Sequence, residues 1–282
     1  MHKLNDFGFK TNRSTYLVAE IGINHGGNIK IAKDLVVSAA STGCDAVKFQ
    51  TYISEKRAPK NKFPDLFNLL KTCELTFSEF EELKMLCNEK NIEFISTAFD
   101  EESIEFLDSI DMKIFKISSF DLLNHKLLEK VANLNKTVIT SVGMGTEQEI
   151  DNAYKVLSKN KKSKNVILHC ISAYPTKVED AQLTQINILK NRYKECVIGQ
   201  SDHTNDIVVP CYAIAAGAQI IEKHYKLDDN MDCVDSAVSI TEGQMALLVN
   251  KVRNIEKMFG MPKRLLSFQE KEVLKYRRKN IL

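Results

Sequence analysis

Little in this sequence interrupts it. Five prolines and eleven glycines are spread over 282 residues, and no Pro/Gly/Ser-rich or low-complexity stretch marks a linker. One large domain is therefore expected rather than a string of small ones. No charge of either sign dominates: 39 Lys+Arg against 37 Asp+Glu leave a formal net charge of +2, which gives no basis for bulk nucleic-acid binding. Long apolar runs are missing as well. The most apolar stretch, 207–221, contains Pro210 and Gln219 and is too short to span a bilayer; it reads as a buried helix followed by a buried strand. Residues 1–10 hold no apolar core of a signal peptide. Cysteine is present without pattern. The seven, at 44, 73, 87, 170, 196, 211 and 233, form no CxxC pair, which argues against a zinc ribbon and suits a reducing cytosol. With 44% hydrophobic and 27% charged residues, the composition is that of a soluble, cytoplasmic globular protein and not of a disordered chain.

What is present is a recurrence. Eight short runs rich in Val, Ile or Phe, at 16–22, 46–50, 93–99, 114–118, 137–143, 166–172, 197–203 and 218–225, each precede a helical pattern. Thr76-x-x-Glu79, Thr146-x-x-Glu149 and Thr241-x-x-Gln244 are capping boxes that open three of the helices. Eight strand–helix units are the number needed for a closed (β/α)₈ TIM barrel. An open doubly wound sheet is the alternative, but the first turn, Gly22-Ile-Asn-His-Gly-Gly27, does not match GxGxxG. The expected organisation is an α/β single-domain barrel over 1–262 with a tail over 263–282.

Barrel enzymes keep their chemistry at the C-terminal ends of the strands. There the sequence places Glu20, Asn24, His25, Lys48, Gln50, Thr97, Lys116, Ser119, Asp121, Ser141, Ser172, Tyr174, Ser201, Asp202, His203, Glu222 and His224. Alternation puts Lys48 and Gln50 inward, with Val47 and Phe49 outward; Lys116 repeats the pattern between Phe115 and Ile117. A lysine inside a barrel is costly without an anionic partner. Two of them point to a ligand carrying two anionic groups, such as a phosphate and a carboxylate. The alternatives are structural pairing with a carboxylate such as Glu20, or a Schiff-base lysine. His203 and His224 end neighbouring strands and could share a divalent metal, or could simply be hydrogen-bonded rim residues. His2 and His125 read as surface residues and His169 as packed. Asp228 and Asp229 read as a solvated loop, and Lys56, Arg57, Lys60 and Lys62 as a solvated charge run rather than a lid.

Eight motifs then occur in order: Ala19-Glu-Ile-Gly-Ile-Asn-His25, Lys48-Phe-Gln-Thr51, Ser96-Thr97, Phe115-Lys-Ile-Ser-Ser119, Ser141-Val-Gly-Met144, Leu168-His-Cys170 with Tyr174-Pro175, Ser201-Asp-His-Thr204 and Glu222-Lys-His224. Together they resemble the catalytic barrel of the N-acetylneuraminate (sialic acid) synthase family, from about residue 16 onward. The resemblance implies condensation of phosphoenolpyruvate with an N-acylated aldose, N-acetylmannosamine or a modified relative such as a precursor of legionaminic or pseudaminic acid. The products are a nine-carbon 2-keto sugar acid and phosphate. It implies a divalent metal, manganese with magnesium or cobalt as substitutes, bound by His203 and His224. Phosphoenolpyruvate would be held by Lys48, Thr97, Lys116, Ser119, Ser141 and Ser201. The sugar would meet Gln50, Asp121, Ser172, Tyr174 and Asp235. Lys48, Lys116 and Glu20 would be catalytic, Glu20 by activating water or moving a proton. The product would feed bacterial surface glycans.

There are departures from the family pattern. Members continue into a small antifreeze-like domain, which in a swapped dimer lends an arginine to the partner's sugar site; residues 277–282 resemble the linker before that domain, and the arginine has no counterpart here. A homodimer, or a separate chain supplying the missing domain, is the corresponding expectation. Asp121 stands where N-acetylmannosamine-specific members have glutamate, and Ser172 where they have asparagine. The approach to Asp235, 230–233, lacks the usual proline and glycine. A catalytically idle barrel that binds a sugar or a partner protein is the reading from another class.

Overall fold

The structure is a computed structural model and describes residues 1–160, 163–260 and 263–278. The boundary expected at residue 262 and the end of the tail, 279–282, lie outside the described residues. Eight parallel strands close into one barrel in chain order: β1 (Tyr16–Gly22), β2 (Ala46–Thr51), β3 (Glu93–Ala98), β4 (Ile114–Ile117), β5 (Thr137–Ser141), β6 (Lys164–Cys170), β7 (Val197–Asp202) and β8 (Ile220–His224). Helices alternate with the strands, and the open-sheet alternative is excluded by the β1–β8 pairing. All three expected capping boxes are formed.

The barrel interior is built in two chemically distinct layers, and the strand repeat of two explains both. Val18, Ala46, Ile95, Ile114, Ile139, Val166, Val197 and Ile220 fill the lower layer. Two residues further along the same strands come Glu20, Lys48, Thr97, Lys116, Ser141, Leu168, Gly199 and Glu222. The N-terminal segment closes the bottom, where Leu4, Phe7 and Phe9 join the lower layer and Phe9 lies 4.8 Å from the Tyr16 ring. Outward residues such as Val47, Phe49, Phe115 and Ile117 pack against the helices. The apolar layer closes the polar one from beneath, while the strand ends leave it open above.

One expectation for the apolar stretch needs correction. The helix Val208–Ala215 is apolar on all sides but only half covered, with Val208 and Tyr212 exposed. Its buried face is carried by Val209, Pro210, Ala213 and Ile214 alone. No helix among the described residues is long and apolar enough to cross a membrane.

Candidate active site

At the open end of the barrel is a cavity of about 240 Å³ whose walls come from all eight strands or the loops that follow them. Its floor is an ionic network. Lys48 Nζ lies 2.7 Å from Glu20 Oε2 and 3.7 Å from Glu222 Oε2, and it donates to Thr97 Oγ1 at 3.1 Å. Lys116 Nζ lies 3.6 Å from Glu222 Oε1 and donates to Ser141 Oγ at 2.8 Å. Ser201 Oγ donates to Glu222 Oε1 at 2.8 Å. The pairing of inward lysines with carboxylates, posed as one alternative from sequence, is thus present, with Glu222 as the second carboxylate beside Glu20.

The environment separates the two acids. Burial pushes Glu20 up to about 7; the pull of Lys48 opposes the shift, and the nearby Glu222 charge adds to it. Glu222 is equally buried, but Lys116, Lys48 and the Ser201 hydroxyl outweigh desolvation and hold it below the usual range. The lysines part in the same way. Burial lowers Lys116, whereas Glu20 and Glu222 outweigh burial at Lys48 and raise it.

Above this floor sit the two histidines. Their ring centroids are 5.3 Å apart. His203 donates from Nδ1 to the Ile171 carbonyl at 2.7 Å, which leaves the Nε2 lone pair available. Burial lowers both imidazoles below their ordinary range, His224 also through its neighbour His203, so both are neutral near pH 7. His224 Nδ1 is buried without a hydrogen bond, 3.4 Å from Asp235 Oδ2. Two neutral imidazoles with one nitrogen anchored or facing a carboxylate fit an open metal site that leaves positions for oxygen ligands. No group of three or more His, Cys, Asp or Glu among the described residues makes a closed one. Tyr174 stacks on His203 with centroids 4.1 Å apart.

Beneath the histidines a second set of buried polar groups ties β7 to β8 and joins the loops after β1 and β8. Lys223 points outward and is buried, 2.7 Å from Asp202 Oδ2, and bonds the Thr204 carbonyl. Thr204 Oγ1 donates to the same carboxylate at 2.7 Å. Asn24 ties the loop after β1 to the loop after β8. Its side chain donates to Tyr225 O and Ser239 Oγ, and its Oδ1 accepts from the Asp235 N–H at 2.9 Å. At Gly22, with φ +57°, a Cβ would come within 3.2 Å of Glu20 Oε1 and 3.3 Å of Gln50 Nε2, so the close turn beside the network calls for glycine.

Of the expected site residues, Glu20, Lys48, Gln50, Thr97, Lys116, Ser119, Ser141, Tyr174, Ser201, His203, His224 and Asp235 line the cavity. Asp121 and Ser172 do not. Asp121 is half-buried, with Oδ2 unpaired and burial raising its carboxyl. Ser172 Oγ lies where a Cβ on Gly143 would be, beside Ser119 Oγ. His25 takes the Gly27 N–H on Nδ1 and faces away from the main cavity, and His169 is packed against the Ala181 carbonyl. The expectation of a solvated charge run after β2 fails at one position. Lys56, Lys60 and Lys62 are exposed, but Arg57 turns into the cavity, donates to Gln50 Oε1 at 2.9 Å and stacks 3.6 Å from the Phe99 ring centroid. Phe99 and Phe120 line the same cavity. The short helix Ser54–Arg57 carries the arginine at its last position, six residues beyond the end of β2.

Residues 35–264 match the model of the NeuB family. The chain belongs to the NeuB family. An N,N'-diacetyllegionaminic acid synthase of Campylobacter jejuni is 35% identical, with 96% of this chain and 85% of the relative covered. An uncharacterized protein of Methanocaldococcus jannaschii is 40% identical over 99% of this chain and 82% of its own length. Among solved structures, the N-acetylneuraminic acid (sialic acid) synthetase of Leptospira borgpetersenii, in complex with citrate, superposes with a TM-score of 0.89 at 39% identity, covering 93% of this chain and 91% of that one. The sialic acid synthase family expected from the ordered motifs is thereby shown, and several of its named relatives are sugar acid synthases.

Proposed function

We propose that this protein condenses phosphoenolpyruvate with an N-acylated aldose, N-acetylmannosamine or a modified relative, to give a nine-carbon 2-keto sugar acid and phosphate. The observation that carries the reading is the buried floor: two inward lysines with hydroxyl partners, lying beneath two neutral histidines. Lys48 with Thr97, and Lys116 with Ser141 and Ser201, would hold the donor's carboxylate and phosphate and stabilise charge as it moves. C3 of the donor forms a bond to the aldehyde carbon, and the aldehyde oxygen takes a proton to become a hydroxyl. Water then adds at C2. Phosphate leaves with the electron pair of the C2–O bond, and the C2 hydroxyl gives up its proton to become the ketone. Glu20, titrating near neutrality in the ligand-free protein and protonated once the donor anion is bound, is suited to give that proton to the aldehyde oxygen and then to accept one from the water. A divalent metal on His203 and His224, manganese being the expected ion, would supply Lewis-acid polarisation of the aldehyde.

Phosphate release is the test, measured with manganese across a panel of N-acylated aldoses, with and without chelator. Release that needs both one sugar and metal, and is lost in His203→Ala, supports the reading. No release with any sugar, despite phosphoenolpyruvate binding, would leave the barrel a binding protein or one that needs a further domain. The burial-lowered Lys116 amine is the one feature favouring a Schiff-base aldolase. Covalent reduction of the protein by borohydride with a keto donor would move the assignment there.

A further inference from the structure

Arg57 has no role in the condensation chemistry just described, yet it is built into the cavity with care. Its guanidinium lies over two rings, 3.6 Å from the Phe99 centroid and 4.7 Å from the Tyr52 centroid. One nitrogen, NH1, donates to Gln50 Oε1, and Gln50 in turn reaches Glu20 Oε1 at 3.5 Å. Among the described residues the other guanidinium N–H groups have no hydrogen-bond partner. A planar group clamped by a ring face and one hydrogen bond is a preorganised donor with little rotamer freedom left to lose. Burial lowers it to about 10, and Asp121, Asp235 and Glu20 keep it charged.

Those three acids also determine what it can bind. An anionic group at Arg57 would face Glu20 and Asp235 across a cavity of about 240 Å³. A neutral carbonyl oxygen takes the same donors without that repulsion. Phe99 lies against the guanidinium, and Phe120 and Ile23 add apolar surface to the same cavity, suited to a small alkyl group. A donor pair next to an apolar wall matches an amide carbonyl and its methyl.

We propose that Arg57, with Phe99 and Phe120, forms the subsite for an acylamino group of the acceptor sugar, and is a specificity-determining residue of this protein. The inference rests on the condensation reading for its acceptor, but it makes a claim about binding that can be read without turnover. The experiment compares wild type, Arg57→Ala and Arg57→Lys, each checked for unchanged thermal unfolding. The probes are N-acetylmannosamine and its 2,4-diacetamido counterpart, each against the parent aldose without acyl groups. Binding is followed by saturation-transfer NMR and, where phosphate is released, by the acceptor and donor KM.

A charge-assisted hydrogen bond to a neutral oxygen predicts a loss of roughly 10- to 100-fold in affinity or acceptor KM for the acylated sugars in Arg57→Ala. The deacylated sugars should change less than about twofold, as should the donor KM, and Arg57→Lys should fall between, because it keeps the charge but not the fork. A wild-type protein with no preference for acylated sugars overturns the subsite, and so does a preference that survives Arg57→Ala. An equal rise in the donor KM would make Arg57 an anion-binding or structural residue instead. If phosphate is never released while the acyl preference vanishes in Arg57→Ala, the condensation reading falls and the subsite stands.

Discussion

Glu20 should take up a proton when phosphoenolpyruvate binds, and the size of the effect follows from its surroundings. In the free protein its carboxyl titrates at about 7, so at pH 8 it is about nine-tenths ionised. A ligand anion reaching Lys48 competes for the partner that Glu20 holds at 2.7 Å. One negative charge arriving about 4 Å away, at an effective dielectric near 20, is worth about 4 kcal/mol against the ionised carboxylate, or about three pK units. That carries Glu20 from about 7 to about 10, and it becomes protonated. Calorimetry at pH 8, with metal chelated and in buffers of different ionisation enthalpy, should therefore read uptake of roughly 0.9 proton per ligand. The phosphate of the ligand is already fully ionised there, its second pKa being about 6. By linkage, affinity should fall by nearly tenfold per pH unit above about pH 7.5. Glu20→Gln keeps the side-chain size and a partner for Gln50 but cannot titrate. It should bind with no uptake and a flat profile. Uptake that persists in Glu20→Gln, or none in the wild type, would refute the argument.

The same shift has a stability consequence of the opposite sense to a paired surface acid. Because the folded-state value of Glu20 lies above the ordinary glutamate value of 4.5, its contribution to stability falls as pH rises from about 4.5 to about 7, and Glu20→Gln should remove that slope in denaturant titrations. Phe9→Ala should cost about 3–5 kcal/mol, because Phe9 is 1% exposed and plugs the barrel floor against Tyr16; urea unfolding followed by circular dichroism reads it, and a loss below about 1 kcal/mol would mean that the plug is not part of the core. Asp202→Asn should destabilise by about 3–5 kcal/mol by leaving Lys223 buried beside a neutral amide. Lys223→Met combined with it should recover most of that loss, and an unchanged double variant would show that the pair does not hold the register.

The barrel was legible because two periodicities coincide in the sequence. Runs such as Ala46-Val-Lys-Phe-Gln50 carry the strand repeat of two, and the capping boxes mark where the helices begin. Inward placement of Lys48 and Lys116 followed from that repeat alone. Other features lay beyond any local pattern. That Glu222 bridges both lysines depends on β8 closing against β1, a pairing of residues some 200 positions apart. Arg57 looked like one of four basic loop residues; it is held inward by Gln50, Tyr52 and Phe99, the last on a different strand–helix unit. Asp121 and Ser172 stood in the right order along the chain but are set back from the cavity by the turns that carry them. Strand residues could be placed by parity, whereas loop residues depend on contacts that the sequence does not display.

The two sequence readings of the inward lysines, structural pairing and anion binding, are compatible, and the difference between the two carboxylates is the reason. Three cations, Lys48, Lys116 and Arg57, face three acids, Glu20, Glu222 and Asp235, around the cavity. An empty barrel with unpaired lysines would lose their protons to desolvation. An incoming anion must therefore displace carboxylates already in place. If both acids on the floor were held as firmly as Glu222, by Lys116, Lys48 and Ser201, that competition would be lost. Glu20 is different: burial and the adjacent Glu222 already bring its ionised form close to balance at pH 7. Adding one proton to Glu20 frees Lys48 for a ligand, while Glu222 still anchors both lysines. The floor can then be neutral when empty and cationic when needed, without moving a strand.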